Sequence, residues 1–321
     1  MTILLTERQV TEILDMKTAI DAVEEVVKDQ AQGFATNRPR QRVFGTGSLL
    51  HVMPGADRKM GVYGFKAYST APEKTRFLVM LYEAKSGDLL AIIEADRLGQ
   101  MRTGAASGVA TKYMAREDAG TVGIFGTGWQ AESQLIAVCA VRKIKKAKAY
   151  SRKPERRRAF AEKMSAMLAL DVQPAETPEE TVKGQSIVIT ATSAREPVLQ
   201  GAWIEPGTHL NVIGANYLSK SEVDIETIRR AAIVAVDSIE QAKVEAGDLL
   251  PAIERGVISW EAVRELGHVA AGHVPGRNNQ NEITLFKSGG LAIWDVATAL
   301  RVYNIARERG IGKEIQFWSN E

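Results

Sequence analysis

The stretch Thr121-Val122-Gly123-Ile124-Phe125-Gly126-Thr127-Gly128-Trp129-Gln130-Ala131 reads as a short buried strand that breaks at paired glycines and turns into a helix running from Trp129 to about Val141. A dinucleotide-binding turn needs these residue types at this spacing. Gly126 permits the tight turn, Gly128 lets backbone approach a pyrophosphate, and the small Ala131 allows helix and strand to pack closely. The first N–H groups of such a helix have no partner inside it and face an anion. Glycine turns of this form also serve purely structural ends, so the surrounding pattern decides the reading.

Outward from that turn, strand and helix alternate, the sign of a parallel sheet covered on both faces. The strands are expected at 121–125, 147–151, 186–191, 208–213 and 232–236, with helices at Trp129–Val141, Pro154–Leu168 and Pro178–Val182. The half before residue 117 has a different rhythm. Thr6-Glu7-Arg8-Gln9 has capping-box spacing ahead of Val10, Ile13 and Leu14, and a second helix runs from near Asp15 to a stop at Gly33. Strands then follow at 41–44 with 48–53, 62–68, 76–83 and 89–94. Turns at Pro54-Gly55, Ala71-Pro72 and Ser86-Gly87 suit an antiparallel sheet. A helix is expected at 104–114, and a last one at about 291–309 ends at Gly310. By pattern alone that last helix either closes the nucleotide domain or folds back on the first. The fold class is α/β: a Rossmann domain at 117–290 beside an α+β domain at 1–116 that carries the antiparallel sheet.

Composition narrows the function. Lys+Arg 41 against Asp+Glu 39 sets up no field that would draw the chain to nucleic acid or an anionic membrane, so small-molecule chemistry is expected. The single cysteine, Cys139, lies in an apolar helical run as a small core residue, which fits a reducing compartment. No apolar run approaches the roughly 20 residues that span a bilayer, and a cytoplasmic location is expected.

The end of the second parallel strand selects the cofactor. An NAD site usually places a carboxylate there for the ribose 2′-hydroxyl. Here the strand ends in Ser151-Arg152-Lys153, with Arg156 one turn on. A hydroxyl and guanidinium groups suit a 2′-phosphate, so NADPH/NADP is expected over NAD. Arg157 and Arg158 read as a solvated basic helix face.

In the first half, Arg40, Lys66 and Arg102 stand far apart in sequence, and spacing alone cannot bring them together. Taken alone, each reads as an ordinary surface charge or ion-pair partner rather than a site residue. The chain nevertheless resembles the ornithine cyclodeaminase/mu-crystallin family over essentially its whole length. The resemblance is carried by Arg38-Pro39-Arg40, Val52-Met53-Pro54, Gly64-Phe65-Lys66, Met101-Arg102-Thr103-Gly104-Ala105-Ala106, the glycine turn, Gly272-His273-Val274-Pro275-Gly276-Arg277 and Glu282-Ile283-Thr284-Leu285-Phe286-Lys287-Ser288. It implies a homodimer built through the first domain, and a C-terminal segment 291–321 that returns to that domain. It also implies that Arg40, Lys66 and Arg102 face the substrate's α-carboxylate and its reacting nitrogen. The chemistry agrees with those roles: a guanidinium grips a carboxylate in two places, and a desolvated lysine trades a proton near neutral pH.

One position departs from the family pattern. Where cyclodeaminases and related alanine dehydrogenases carry an aspartate that handles the substrate amine, this chain has Asn216. An amide cannot take a proton, so the expectation moves from cyclodeamination toward imine reduction. The resemblance agrees, because the ketimine-reductase branch uses NADPH and carries a similar strand-end Ser-Arg or Asn-Arg pair. The expected activity is NADPH-dependent reduction of a small, cyclic α-imino acid such as a pyrroline- or piperideine-2-carboxylate. In that reading Lys66 and Asn216 act at the reacting atoms, and Arg40, Lys66 and Arg102 bind substrate. Gly126, Thr127, Gly128, Trp129, Gln130, Ser151, Arg152, Arg156 and Ser288 would bind cofactor, with Thr190, Ala191 and Thr192 bordering the nicotinamide. Alanine dehydrogenase, ornithine cyclodeaminase and a non-enzymatic, NADPH-dependent mu-crystallin-like carrier are the alternatives. His51, His209, His268 and His273 show no metal-ligand spacing and no catalytic role, and no metal is expected.

Overall fold

A computed structural model describes residues 1–72 and 74–317. Its contacts group the chain into two compact units, Met1–Arg102 together with the chain from Leu291 onward, and Thr103–Gly290. The division falls inside one helix, Asp96–Met114, whereas the sequence reading drew its boundary after residue 116. That helix begins before the expected residue 104 because its start is capped from a distance: the Glu7 carboxylate accepts the backbone N–H groups of Asp96 and Arg97. Of the segment 291–321, residues 318–321 lie outside the described residues.

In the second unit, the described strands form an all-parallel sheet in the order Asp171–Pro174, Lys146–Tyr150, Thr121–Phe125, Ile187–Thr190, His209–Val212, Ile283–Lys287, Ala231–Val236, Arg264–Glu265. Chain direction across the sheet reverses between Thr121–Phe125 and Ile187–Thr190. That is the switch point where doubly wound sheets open a crevice at the carboxyl ends of their strands. Alternate residues face opposite layers: Ile187 and Ile189 join Val122, Ile124, Leu135 and Phe160, while Val188 joins Phe125, Leu210, Val212 and Leu285. The expected helices Trp129–Val141, Pro154–Leu168 and Pro178–Val182 are all present.

Strand Ile283–Lys287 escaped the sequence reading, although it sits in the middle of the sheet. It is buried throughout and ends in a lysine, so it shows neither alternation nor a long apolar run.

The first unit's sheet runs Lys313–Ile315, Thr2–Leu5, Leu89–Glu94, Lys74–Glu83, Val62–Ala71, Leu49–Asp57, Ala35–Asn37, with Gln41–Phe44 also pairing Leu49–Asp57. It is antiparallel except where Thr2–Leu5 joins Leu89–Glu94 in parallel, a pairing that the sequence reading did not anticipate. Helices Glu7–Ile13, Met16–Ala31 and Ala292–Arg309 belong to this unit, and Ala292–Arg309 packs on Met16–Ala31 and on the central strands.

Pro54-Gly55, expected as a turn, lies inside strand Leu49–Asp57. A Cβ on Gly55 would come within 3.1 Å of the Ile293 backbone, so glycine serves here to let the last helix approach the sheet. Among the described residues, no helix is long and apolar enough to cross a membrane.

Candidate active site

In the first unit, strand alternation turns Lys66 inward, directly opposite Met53 on the neighbouring strand. Arg40, just before strand Gln41–Phe44, donates from Nε to Met53 Sδ at 3.3 Å. Arg102 sits in helix Asp96–Met114 and Asp295 in the first turn of helix Ala292–Arg309. Residues 40, 66 and 102 therefore converge although the chain separates them widely. Lys66 Nζ lies 2.9 Å from Asp295 Oδ2, and Arg102 Nε donates to Asp295 Oδ1 at 3.0 Å. Lys66 is 3% exposed, Arg102 6%, Arg40 8% and Asp295 0%. The Trp294 ring lies 5.8 Å from the Arg102 guanidinium carbon.

Asp295 is the member that the sequence reading missed. The signal was present as a lone carboxylate within Ala292-Ile293-Trp294-Asp295-Val296-Ala297, since an acid in so apolar a helix start needs a cation.

Two buried cations, Lys66 and Arg102, share this one carboxylate, and the Arg40 charge lies close enough to Lys66 to act on it. Arg102 Nη1 is buried with no hydrogen-bond partner among the described residues. An anion with paired oxygens suits such a place. Burial, reinforced by the Arg102 charge and opposed by Asp295, brings the Lys66 ammonium down to about 7.

Beside this cluster, His51 stacks on Tyr68 at 4.1 Å and Tyr68 on Phe77 at 4.7 Å. Burial and the charges of Arg40, Arg42 and Lys66 lower His51 to about 4, so its imidazole is neutral at pH 7. His209 is neutral for the same first reason, at about 3, and its Nδ1 is 2.9 Å from Thr284 Oγ1. His268 and His273, which the sequence placed apart around a loop, approach to 3.0 Å between their Nδ1 atoms. Among the described residues no group of three or more His, Cys, Asp or Glu could hold a metal ion.

In the second unit, Gly126 has φ +102°, and a Cβ there would lie 2.3 Å from the Ala191 carbonyl oxygen; only glycine fits. Around Gly128, the N-cap of helix Trp129–Val141, a Cβ would meet nothing within 4 Å. No side chain caps this helix start, and Gln130 Oε1 is buried without a hydrogen-bond partner among the described residues. Open space above a glycine and an uncapped helix start form a cradle that fits a pyrophosphate. Thr127 completes the turn, and Trp129 opens the helix 53% exposed.

Ser151 Oγ donates to the Lys153 carbonyl at 3.1 Å, while Arg152 and Arg156 are exposed. Arg157 corrects the expectation of a solvated face. It is 5% exposed, pairs with Glu176, and donates to the Ser151 carbonyl, so it braces the strand end. Thr190, Ala191 and Thr192 lie at the end of strand Ile187–Thr190, beside Gly126. Ser288 is buried and donates to Asp237 at 3.1 Å. Asn216 lies half-buried in the loop after strand His209–Val212.

The chain is 36% identical to alanine dehydrogenase of Archaeoglobus fulgidus, with 99% of each covered. It is 36% identical to Delta(1)-pyrroline-2-carboxylate reductase of Bacillus cereus over 83% of this chain and 84% of that one. Among solved structures it resembles Thermococcus litoralis Delta(1)-pyrroline-2-carboxylate reductase in complex with NADH and L-proline, at 37% identity and a TM-score of 0.92, covering 98% of this chain and 100% of that one. Residues 1–310 match the family profile itself, and the chain thus belongs to the ornithine cyclodeaminase/mu-crystallin family.

Proposed function

We propose that this protein is an oxidoreductase that reduces small, cyclic α-imino acids, such as pyrroline- or piperideine-2-carboxylate, to the corresponding amino acids with NADPH. The observation that carries this reading is the buried Lys66–Asp295–Arg102 cluster, with Arg40 on Met53 next to Lys66 and Arg102 Nη1 without a hydrogen-bond partner among the described residues. Arg40 and Arg102 hold the substrate carboxylate and orient the ring. Lys66, poised near neutrality, gives its proton to the imine nitrogen. Asp295 holds Lys66 and Arg102 in place, and its charge keeps Lys66 partly protonated near neutral pH. Asn216 orients the substrate or the nicotinamide by hydrogen bonding and takes no proton itself.

The cradle at Gly126–Gln130 would hold the dinucleotide, with Thr190, Ala191, Thr192 and Ser288 along its nicotinamide side. When bound, the reduced nicotinamide supplies the hydride that the imine carbon accepts. Support for NADPH over NADH comes from Ser151, Arg152 and Arg156 at the strand end, while NADH accompanies the Thermococcus reductase.

The likeness to the Archaeoglobus enzyme favours a second reading, alanine dehydrogenase acting on pyruvate and ammonia. A homodimer through the first unit is part of the proposal, supported by the exposed apolar side chains Val43, Phe44, Leu50 and Leu78 on its sheet. A cytoplasmic location, drawn from composition, completes it.

The test is a panel of cyclic imino acids, 2-oxo acids with ammonia, and ornithine, each with both nicotinamides, following cofactor absorbance. Turnover of the imines, lost in Lys66→Ala, is the expected result. No imine turnover in the wild type, or full activity in Lys66→Ala, would sink the reading.

A further inference from the structure

The second unit contains a buried polar network whose atoms all bear on two short segments, the strand end at 190–192 and the loop that leads into Asn216. Glu222 is its hub and is 0% exposed. One carboxylate oxygen accepts Thr192 N at 2.7 Å and Thr192 Oγ1 at 2.6 Å. The other accepts Thr190 Oγ1 at 2.9 Å and Gly214 N at 2.6 Å. The two segments also touch directly, since a Cβ on Gly214 would lie 2.1 Å from the Thr192 carbonyl oxygen.

A second clamp holds Ala215, the residue just before Asn216. Lys287 Nζ donates to the Ala215 carbonyl at 2.5 Å and lies 2.8 Å from Asp248 Oδ2, while Asp248 Oδ1 accepts Glu222 N at 2.5 Å.

We propose that Glu222 is a positioning residue that locks the nicotinamide-side strand end and the Asn216 loop into one rim, so that cofactor and substrate-side amide keep a fixed register. The proposal rests on the reading of Asn216 and of residues 190–192 given above. Each Glu222 oxygen accepts one backbone N–H, from Thr192 or from Gly214, and a backbone N–H cannot accept in return, so the site demands two acceptor oxygens. A glutamine offers one oxygen and an NH2 group that must face either Thr192 N or Gly214 N, which breaks one backbone bond of the lock while keeping the shape. A misplacement of the order of 1 Å at such a rim costs about a hundredfold in rate.

The experiment compares Glu222→Gln, Asn216→Ala and the double variant by steady-state imine reduction, dinucleotide affinity and amide hydrogen exchange at 190–192 and 213–217. In Glu222→Gln, kcat is expected to fall ~10- to 100-fold with the dinucleotide Kd within ~3-fold of wild type, and exchange rises in both segments together. Because Glu222 acts through the loop, adding Asn216→Ala costs no more than ~2-fold beyond Glu222→Gln alone. Multiplicative losses, unchanged kcat, or exchange that rises in one segment only would overturn the proposal. If Glu222→Gln does not fold, Thr192→Val removes one donor and is held to the same non-additivity and joint exchange. Absence of imine turnover in the wild type counts against the reaction, while the exchange arm still decides whether the lock exists.

Discussion

The role of Asp295 yields a prediction whose sign and size follow from the geometry. Asp295→Asn keeps the shape and removes the carboxylate that lies 2.9 Å from Lys66 Nζ and 3.0 Å from Arg102 Nε. A pair of unit charges at about 3 Å in a medium of effective dielectric about 20 is worth roughly 5 kcal/mol. With one pKa unit equal to about 1.4 kcal/mol, that is an upper bound of about 4 units; the asparagine dipole and admitted water recover about half.

In the wild type burial and the Arg102 charge bring the Lys66 ammonium down to about 7, against the raising effect of Asp295. Removing the raising partner moves Lys66 down by about 2 units. In the proposed mechanism protonated Lys66 is the proton donor, so kcat/KM for imine reduction should fall as pH rises through the Lys66 pKa. That alkaline limb should therefore shift from near 7 to near 5. Stability should drop too, by about 3–5 kcal/mol, because Arg102 loses its counter-ion and Lys66 stays buried only by giving up its charge. The assay is kcat/KM against pH from 4.5 to 9, alongside thermal unfolding. An alkaline limb that stays at its wild-type position refutes the assignment of Lys66 as proton donor and Asp295 as its tuning partner.

Arg102→Met works in the opposite direction. Losing a neighbouring cation raises Lys66, so the alkaline limb moves above 7, while KM rises by at least about tenfold through loss of a charge-assisted contact to the carboxylate, both read from the same profiles. Gly126→Ala forces a Cβ onto the Ala191 carbonyl at a backbone φ of +102°, so destabilisation of about 3 kcal/mol and loss of dinucleotide binding are expected by calorimetry and titration; a Tm within a degree of wild type would contradict it. Arg152→Ala should weaken NADPH about tenfold and leave NADH nearly unchanged, whereas equal losses for both would place Arg152 outside the 2′-phosphate site.

Much of the second unit was legible because its signals are local. Paired glycines, the helix after them and the strand–helix alternation are short-range consequences of backbone sterics and hydrophobic period, and Gly126 occupies the left-handed-side conformation that its place in the turn demands. Strand Ile283–Lys287 was not legible, because burial on both faces leaves it no alternation, and Thr284 and Lys287 break its apolar run. Pro54-Gly55 misled for a related reason: glycine signals either a turn or a close approach, and only the arrival of helix Ala292–Arg309 shows which.

Sequence by itself determined the fold class and the glycine turn, since each is written in a motif or a period of a few residues, whereas the roles expected of Arg40, Lys66 and Arg102 came only through the family resemblance. Tertiary structure alone decided that Arg40, Lys66 and Arg102 converge, that Asp295 stands among them, and that Glu222 ties two segments together. The physical reason is that charges interact through space over a few ångströms. Residues 66 and 295 become partners only when a strand and a distant helix pack against each other, and Lys66 loses its ordinary basicity only when that packing excludes water.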